Sequence, residues 1–356
     1  MNIHPRPNPI IAALYTLRDL DVDVVVIHGP SGCGFMASRM IENAGIRVVT
    51  TAITDNELIF GASENLITVL RDIEKRFTPR SVAVIGTCAS MIIGEDMKAS
   101  IKRANIGCNV FSVDCHGCMG DNTKGAIRAI EAASAVGIVD KNEAERQKYL
   151  LAAATDMEKR VGMASVEYLP PSGGPTKLKV AKRIVECLKN DGRIAVIILS
   201  KKELAYRFSD LFLAVKEAKE ILGGKVLFVS NLDTNKGLPR FRRYAEEIGK
   251  ELKDNDIEIN IVGGLDEYAV VGEDMEKIVN DFDPDLKVIV GIPHAYPTLD
   301  ANDILITDQP RQLSNYLSKG YDAVGEISSH SMVMNTNKII AMETGDTIRE
   351  LLRELQ

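Results

Sequence analysis

Short apolar runs rich in Val and Ile recur along the chain, each followed after a turn by a helix-length amphipathic stretch. In the first half the strand-like runs fall at 22–27, 47–52, 81–85 and 109–113, and the helical ones at 34–43, 57–77, 96–104 and 122–134. A strand that is apolar on every residue is covered on both faces, and strands spaced by helices connect in parallel. The pattern predicts an α/β fold of doubly wound, Rossmann-like parallel sheets. A second series follows, with strands at 193–199, 225–229, 258–262 and 287–291 and helices at 202–222, 240–252 and 269–281. The tail adds strand-like runs at 304–307 and 323–327 and helical ones at 310–319 and 346–355.

Between the two series a charged helical stretch, 141–160, runs into Pro170, Pro171, Ser172, Gly173, Gly174 and Pro175, a cluster that stops regular structure. The expected organisation is a Rossmann-like domain over 1–138, a helical linker over 139–190 and a second Rossmann-like domain over 191–300. Segment 301–356 either completes the second domain or returns to the first. A length of 356 residues suits two or three domains.

Composition removes several function classes. With 43 basic against 50 acidic residues, no basic run and no Trp, nucleic acid is not an expected partner. The apolar runs are strand-length, well short of the ~18 residues of a membrane span. Three prolines within the first nine residues leave no export signal, so no membrane partner and a cytoplasmic location are expected. Six cysteines in such a chain are buried small hydrophobes or ligands rather than a disulfide framework.

In an open parallel sheet, ligands bind beyond the carboxyl ends of the strands. Three cysteine-bearing loops fall there: His28-Gly29-Pro30-Ser31-Gly32-Cys33-Gly34, Gly86-Thr87-Cys88-Ala89-Ser90, and Asp114-Cys115-His116-Gly117-Cys118-Met119-Gly120. Gly29 and Gly34 have P-loop spacing, but Phe35 and Met36 stand where Lys and Ser/Thr would clamp phosphates and Mg²⁺, so this loop does not hold ATP. Its glycines allow close approach by something bulky, with Cys33 in the path, and a helix start favours the thiolate. The Cys115-x2-Cys118 pair fits zinc, a redox dithiol or a cluster, and His116 is either a loop histidine or a ligand. Cys108 and Cys187 read as buried hydrophobes.

Taken in order and with this spacing, these segments resemble the nitrogenase-like family: nitrogenase catalytic subunits, dark-operative protochlorophyllide and chlorophyllide reductases, and a smaller methanogen enzyme. The first loop resembles the family's cluster loop. Thr54-Asp55-Asn56-Glu57-Leu58-Ile59-Phe60-Gly61-Ala62 is similar to its acidic-Ile-Phe-Gly-Gly segment. Cys88-Ala89-Ser90-Met91-Ile92-Ile93-Gly94-Glu95-Asp96 is similar to its second cluster loop, and Asp114-Cys115-His116-Gly117 falls at its Cys/Gly-rich turn. The specific match covers about residues 22–135. No cysteine precedes Cys33, the chain is shorter than a nitrogenase subunit, and nitrogenase's cofactor-binding cysteine has no counterpart. This compactness resembles the methanogen branch, whose members are reductive cyclases acting on nickel-sirohydrochlorin a,c-diamide.

The resemblance implies sheets of the nitrogenase component 1 type. It also implies a [4Fe–4S] cluster on Cys33 and Cys88, with Gly32 and Gly34 in its loop, and a nitrogenase-reductase-like iron protein that hydrolyses MgATP. The substrate would be a nickel tetrapyrrole, reduced by six electrons with closure of a γ-lactam. A cluster of this kind takes four protein ligands, so two from each chain of a homodimer would close the shell on the two-fold axis. Cys115 and Cys118 are the alternative ligands. His28, His116 and His294, with His330, are candidate proton carriers. Asp55, Glu57, Glu95 and Asp96 sit at helix starts flanking the same edge and are expected in part to steer the iron protein. Rival readings are a scaffold or maturase for another metallocluster, a metal-chelate-binding protein, and a zinc protein using Cys115 and Cys118.

Overall fold

The computed structural model describes residues 8–161, 174–326, 330–334 and 336–355. Pro170 to Gly173 of the expected breaker cluster, Ile327 and the side chain of His330 lie outside what is described. The chain divides into two compact units, Met1–Met157 with Leu238–Arg240, and Glu158–Gly237 with Phe241–Gln356.

The first unit opens with a helix absent from the sequence reading, α1 (Pro9–Asp19). Asn8 caps it, its Oδ1 accepting from Ile11 N at 3.0 Å, and Pro9 sits at the first helical position, where no amide partner is needed. Four strands follow: β1 (Val24–His28), β2 (Arg47–Thr50), β3 (Ser81–Gly86) and β4 (Asn109–Val113). They form one parallel sheet in the order β2-β1-β3-β4. Between them run α2 (Phe35–Asn43), α3 (Asp55–Phe60), α4 (Ser63–Phe77), α5 (Cys88–Ile92), α6 (Met97–Ala104) and α7 (Asn122–Ala135). Val24, Val26, Val82 and Val84 pack on Leu66, Ile67, Leu70 and Ile73 of α4 and Ala104 of α6. The connection from β1 goes to one side and that from β3 to the other, so the strand order reverses between β1 and β3. That is the switch point at which an open sheet leaves a crevice.

The single helix expected over 57–77 is two helices. Gly61, at φ +93°, takes a left-handed conformation that favours glycine, and α3 before it buries none of its residues.

The second unit holds β5 (Arg193–Leu199), β6 (Lys225–Ser230), β7 (Asn260–Ile261), β8 (Leu286–Gly291), β9 (Ile304–Thr307) and β10 (Asp322–Gly325) in a parallel sheet ordered β10-β9-β8-β5-β6-β7. Strands β9 and β10 extend this sheet, so 301–356 belongs to the second unit. The 139–190 segment is shared between the units. Most of α8 (Lys141–Val161) counts with the first, while α9 (Pro175–Lys189) buries Val180, Ile184 and Leu188 in the second. Segment 202–222 is a short 3₁₀ turn, then α10 (Ala205–Phe208) and α11 (Asp210–Leu222). The remaining helices are α12 (Pro239–Asp254), α13 (Gly272–Phe282), α14 (Pro310–Ser318), α15 (His330–Val333) and α16 (Glu343–Leu355). Among the described residues no helix is long and apolar enough to cross a membrane.

In the first unit, α1 and α7 pack closely because position 125 is glycine: a Cβ there would lie 1.9 Å from the Pro9 carbonyl oxygen. Gly125→Ala should therefore push the two helices apart and cost about 1–3 kcal/mol. Urea unfolding measures this, and an unchanged midpoint would show that the helix pair gives way freely.

Candidate metal centre

The switch point draws the first two cysteine loops together. The Thr87 hydroxyl donates to the His28 carbonyl at 3.0 Å, joining the carboxyl end of β3 to that of β1. Gly29 sits so close that a Cβ on it would lie 2.4 Å from Thr87 Oγ1. Thr87 N donates to Ser90 Oγ at 2.8 Å and Ser90 N to Thr87 Oγ1 at 3.4 Å, a capping box that fixes the first turn of α5 with Cys88 at its head. In the first loop, Cys33 N donates to Pro30 O at 2.9 Å, and Gly34 turns into α2 at φ +90°. A Cβ at Gly34 would meet Ile27 Cδ1 at 2.7 Å, whereas one at Gly32 meets nothing within 4 Å, so the loop is backed by the sheet and open above.

The third loop, after β4, brings Cys118 to Cys88, Sγ to Sγ at 3.5 Å. Ligand atoms of Cys88, His116 and Cys118 all lie within 4.8 Å of one another. Cys118 is exposed and Cys33 and Cys88 are half-buried, while Cys115 is buried. Burial, with the nearby Asp114 adding to it, pushes the Cys115 thiol up to about 12. Cys33 is also raised, by burial first and then by Cys88. Neither shift favours the thiolate expected at the start of α2. Three thiols on three loops, open space above Gly32 and a buried His116 Nδ1 without a hydrogen-bond partner together fit a metal–sulfur group.

Behind the loops lies His28, whose side chain has no exposure at all. Thr51 Oγ1 accepts from Gly29 N at 3.0 Å and lies 3.1 Å from His28 Nδ1. The ring's Nε2 faces Glu95 Oε2 at 3.5 Å. Glu95 Oε1 accepts from Ala62 N at 2.6 Å, tying the turn after α5 to the turn between α3 and α4. Burial lowers the His28 pKa, and the Glu95 carboxylate opposes it.

Residues 8–151 match the nitrogenase component 1 type oxidoreductase family. The Ni-sirohydrochlorin a,c-diamide reductive cyclase complex component CfbD of Methanosarcina acetivorans is 43% identical, across 99% of this chain and 98% of its own. Its counterpart in Methanothermobacter thermautotrophicus is 41% identical, across 99% and 100%. The chain belongs to the CfbD family. The CfbD of Methanocaldococcus jannaschii is 40% identical across 98% of this chain, whereas a nitrogenase molybdenum–iron protein beta chain from Methanococcus maripaludis matches only 28% of it, at 34% identity.

Within this CfbD-family chain the expected residues do not all meet. Cys33, Cys88, Gly32, Gly34, His116 and Cys118 lie on the loops of the first sheet's carboxyl edge. His294 lies in the second unit, in the turn after β8, with Nδ1 3.3 Å from the Tyr316 hydroxyl. Of the pair Cys115 and Cys118, the first is buried and the second exposed. Glu95 is no rim charge either, since its side chain is only 6% exposed and is committed to His28 and Ala62. Glu57 accepts from Thr54 N at 2.8 Å and Asp96 from Ala99 N at 3.0 Å, so both are helix caps. Sequence reading missed an apolar surface beside these helix starts: Ile59 and Phe60 of α3 are 73% and 85% exposed, and Ile92 of α5 is 77% exposed. The unbroken run Leu58-Ile59-Phe60, directly before a glycine stop, was the available signal.

The lowered His28 pKa has a consequence for stability. As the pH falls through about 6.5 the unfolded ring takes a proton that the folded one resists, so stability is lost below that pH, by at most about 1.4 kcal/mol per pH unit. His28→Asn should lose less stability than the parent between pH 7.5 and 5.5 in urea titrations. Equal losses in the two proteins would contradict the burial argument.

Proposed function

We propose that this chain is the catalytic component of a reductive cyclase that reduces Ni-sirohydrochlorin a,c-diamide by six electrons and closes a γ-lactam ring, a step toward coenzyme F430. The carrying observation is the meeting of the Cys33 and Cys88 loops at the sheet's switch point, in a chain alike over its whole length to CfbD proteins. Cys33 and Cys88 would hold a [4Fe–4S] cluster, completed by the same two residues of a second copy. When bound, such a cluster supplies one-electron transfer between a donor and the tetrapyrrole.

The protein's own residues have distinct tasks in this reading. Thr87 and Gly29 lock the two ligand loops together, and His28 and Glu95 brace them from below. Phe35 and Met36 replace the phosphate-clamping residues of a P-loop, which supports ATP hydrolysis on a separate iron protein. Exposed Ile59, Phe60, Met91 and Ile92 beside the cysteine loops offer that partner an apolar face. A cavity of about 550 Å³ beside His116 is lined by Lys124, Arg128 and Glu131, with Arg128 paired to Glu131 at 3.4 Å and Lys124 a cation suited to a carboxylate of a tetrapyrrole. His116, at the open edge, is the histidine positioned to pass protons; buried His28 is a brace.

Anaerobically purified protein should carry about two irons per chain, by four irons shared between two chains. Cys33→Ser and Cys88→Ser should each lose this iron. Cys118→Ser should retain it, because thiols in direct contact, as Cys88 and Cys118 are, suit one ion better than two separate irons of a cubane. The loaded protein should reduce the nickel tetrapyrrole only with the iron protein and MgATP. Reduction without MgATP, or four irons on a stable monomer, would overturn the reading; a cluster reduced without any tetrapyrrole turnover would favour the scaffold role instead.

A further inference from the structure

Cys88 and Cys118 meet in a way that one ion explains. Two thiolates bound to a single tetrahedral divalent ion at about 2.3 Å stand about 3.8 Å apart. Their Sγ atoms are 3.5 Å apart with nothing between them, so an ion entering from the open side would displace them little. His116 completes the arrangement: its ring offers a nitrogen within 4.8 Å of both sulfurs, and its Nδ1 is buried without a hydrogen-bond partner. A buried ring nitrogen without a partner costs free energy unless something binds there. The backbone passes near Cys88 at Gly117, where a Cβ would stand 3.5 Å from the sulfur. The three donors rest on two supports. Cys88 is set by the Thr87–Ser90 box, and His116 and Cys118 by the loop that follows β4.

We propose that Cys88, His116 and Cys118 form a mononuclear site for a thiophilic divalent ion such as Zn²⁺, Co²⁺ or Fe²⁺, distinct from the shared cluster. Two thiolates and a neutral imidazole balance the ion's charge, and the fourth tetrahedral position is open to water or a small thiol. Cys88 is common to both sites, so a chain cannot fill both at once. That exclusion rests on the proposed cluster role of Cys88; the ion site itself rests only on the geometry of the three side chains. An ion held here would occupy a cluster ligand before cluster assembly and would have to leave for assembly to proceed.

The test is anaerobic titration of the reduced, metal-free, full-length protein with Co²⁺. The expected result is one Co²⁺ per chain with thiolate-to-cobalt charge transfer in the near ultraviolet and the intense visible bands of a tetrahedral ion, displaced by Zn²⁺. Cys118→Ser and His116→Ala should each weaken binding at least about tenfold, while Cys187→Ser should match the parent. Cys118 is exposed, so its replacement leaves the fold intact, which circular dichroism verifies. A weak octahedral spectrum without charge transfer, or Cys118→Ser binding as the parent does, overturns the site. Cluster-loaded protein should take up no Co²⁺ with this signature. If it does, the ion site stands and the assignment of Cys88 to the cluster falls.

Discussion

The hydroxyl of Thr87 reaches from the end of β3 to the carbonyl of His28 at the end of β1, across the place where the sheet's order reverses. Because position 29 lacks a Cβ, the two loops can close to this distance, and each then carries a cysteine to the same edge. The rest of the site follows from this junction. Ser90 orients Thr87, Thr51 holds both Gly29 N and the His28 ring, and Glu95 joins that ring to the start of α4. These contacts tie the loops to one another, while His28 Nε2 and Glu95 Oε2 face each other at 3.5 Å without a hydrogen bond.

Electrostatics explains why the edge is suited to metal rather than to free thiolate chemistry. Burial raises Cys33 and Cys115, and contact with Cys88 raises Cys118. A thiol in such surroundings is a poor nucleophile near neutral pH, yet a metal ion supplies the positive charge that the protein withholds. Cys115 lies buried behind that edge. Cys118 keeps its access to solvent and its place against Cys88.

Much of this was legible in the chain. The run 193–199 is apolar because both faces of its strand are buried, so its bounds coincide with the strand observed. What was not legible depends on contacts distant in sequence or on exposure. Glu95 reads as a surface acid because nothing in the sequence places it opposite His28, and the two meet only when β1 and β3 pair. Ile59 and Phe60 were counted into a core helix because periodicity cannot tell a buried apolar residue from an exposed one; Gly61 breaks the helix and leaves them outside. The run over 258–262 shrank to Asn260–Ile261, since an edge strand pairs on one side only. Three cysteine loops at one sheet edge could be foreseen from strand order, but which sulfur faces which could not: the loop after β4 has no periodicity to read.

The account depends on one cluster being built from two chains. A mixed dimer tests this directly, with one chain intact and its partner carrying Cys33→Ser and Cys88→Ser, isolated anaerobically through different tags on the two chains and analysed for iron and by electron paramagnetic resonance after reduction. Only two cluster thiolates remain in such a dimer, so the account predicts almost no iron and no [4Fe–4S] signal. Half the parent's iron, with an unaltered signal, would mean that each chain binds its own cluster and would contradict the shared site.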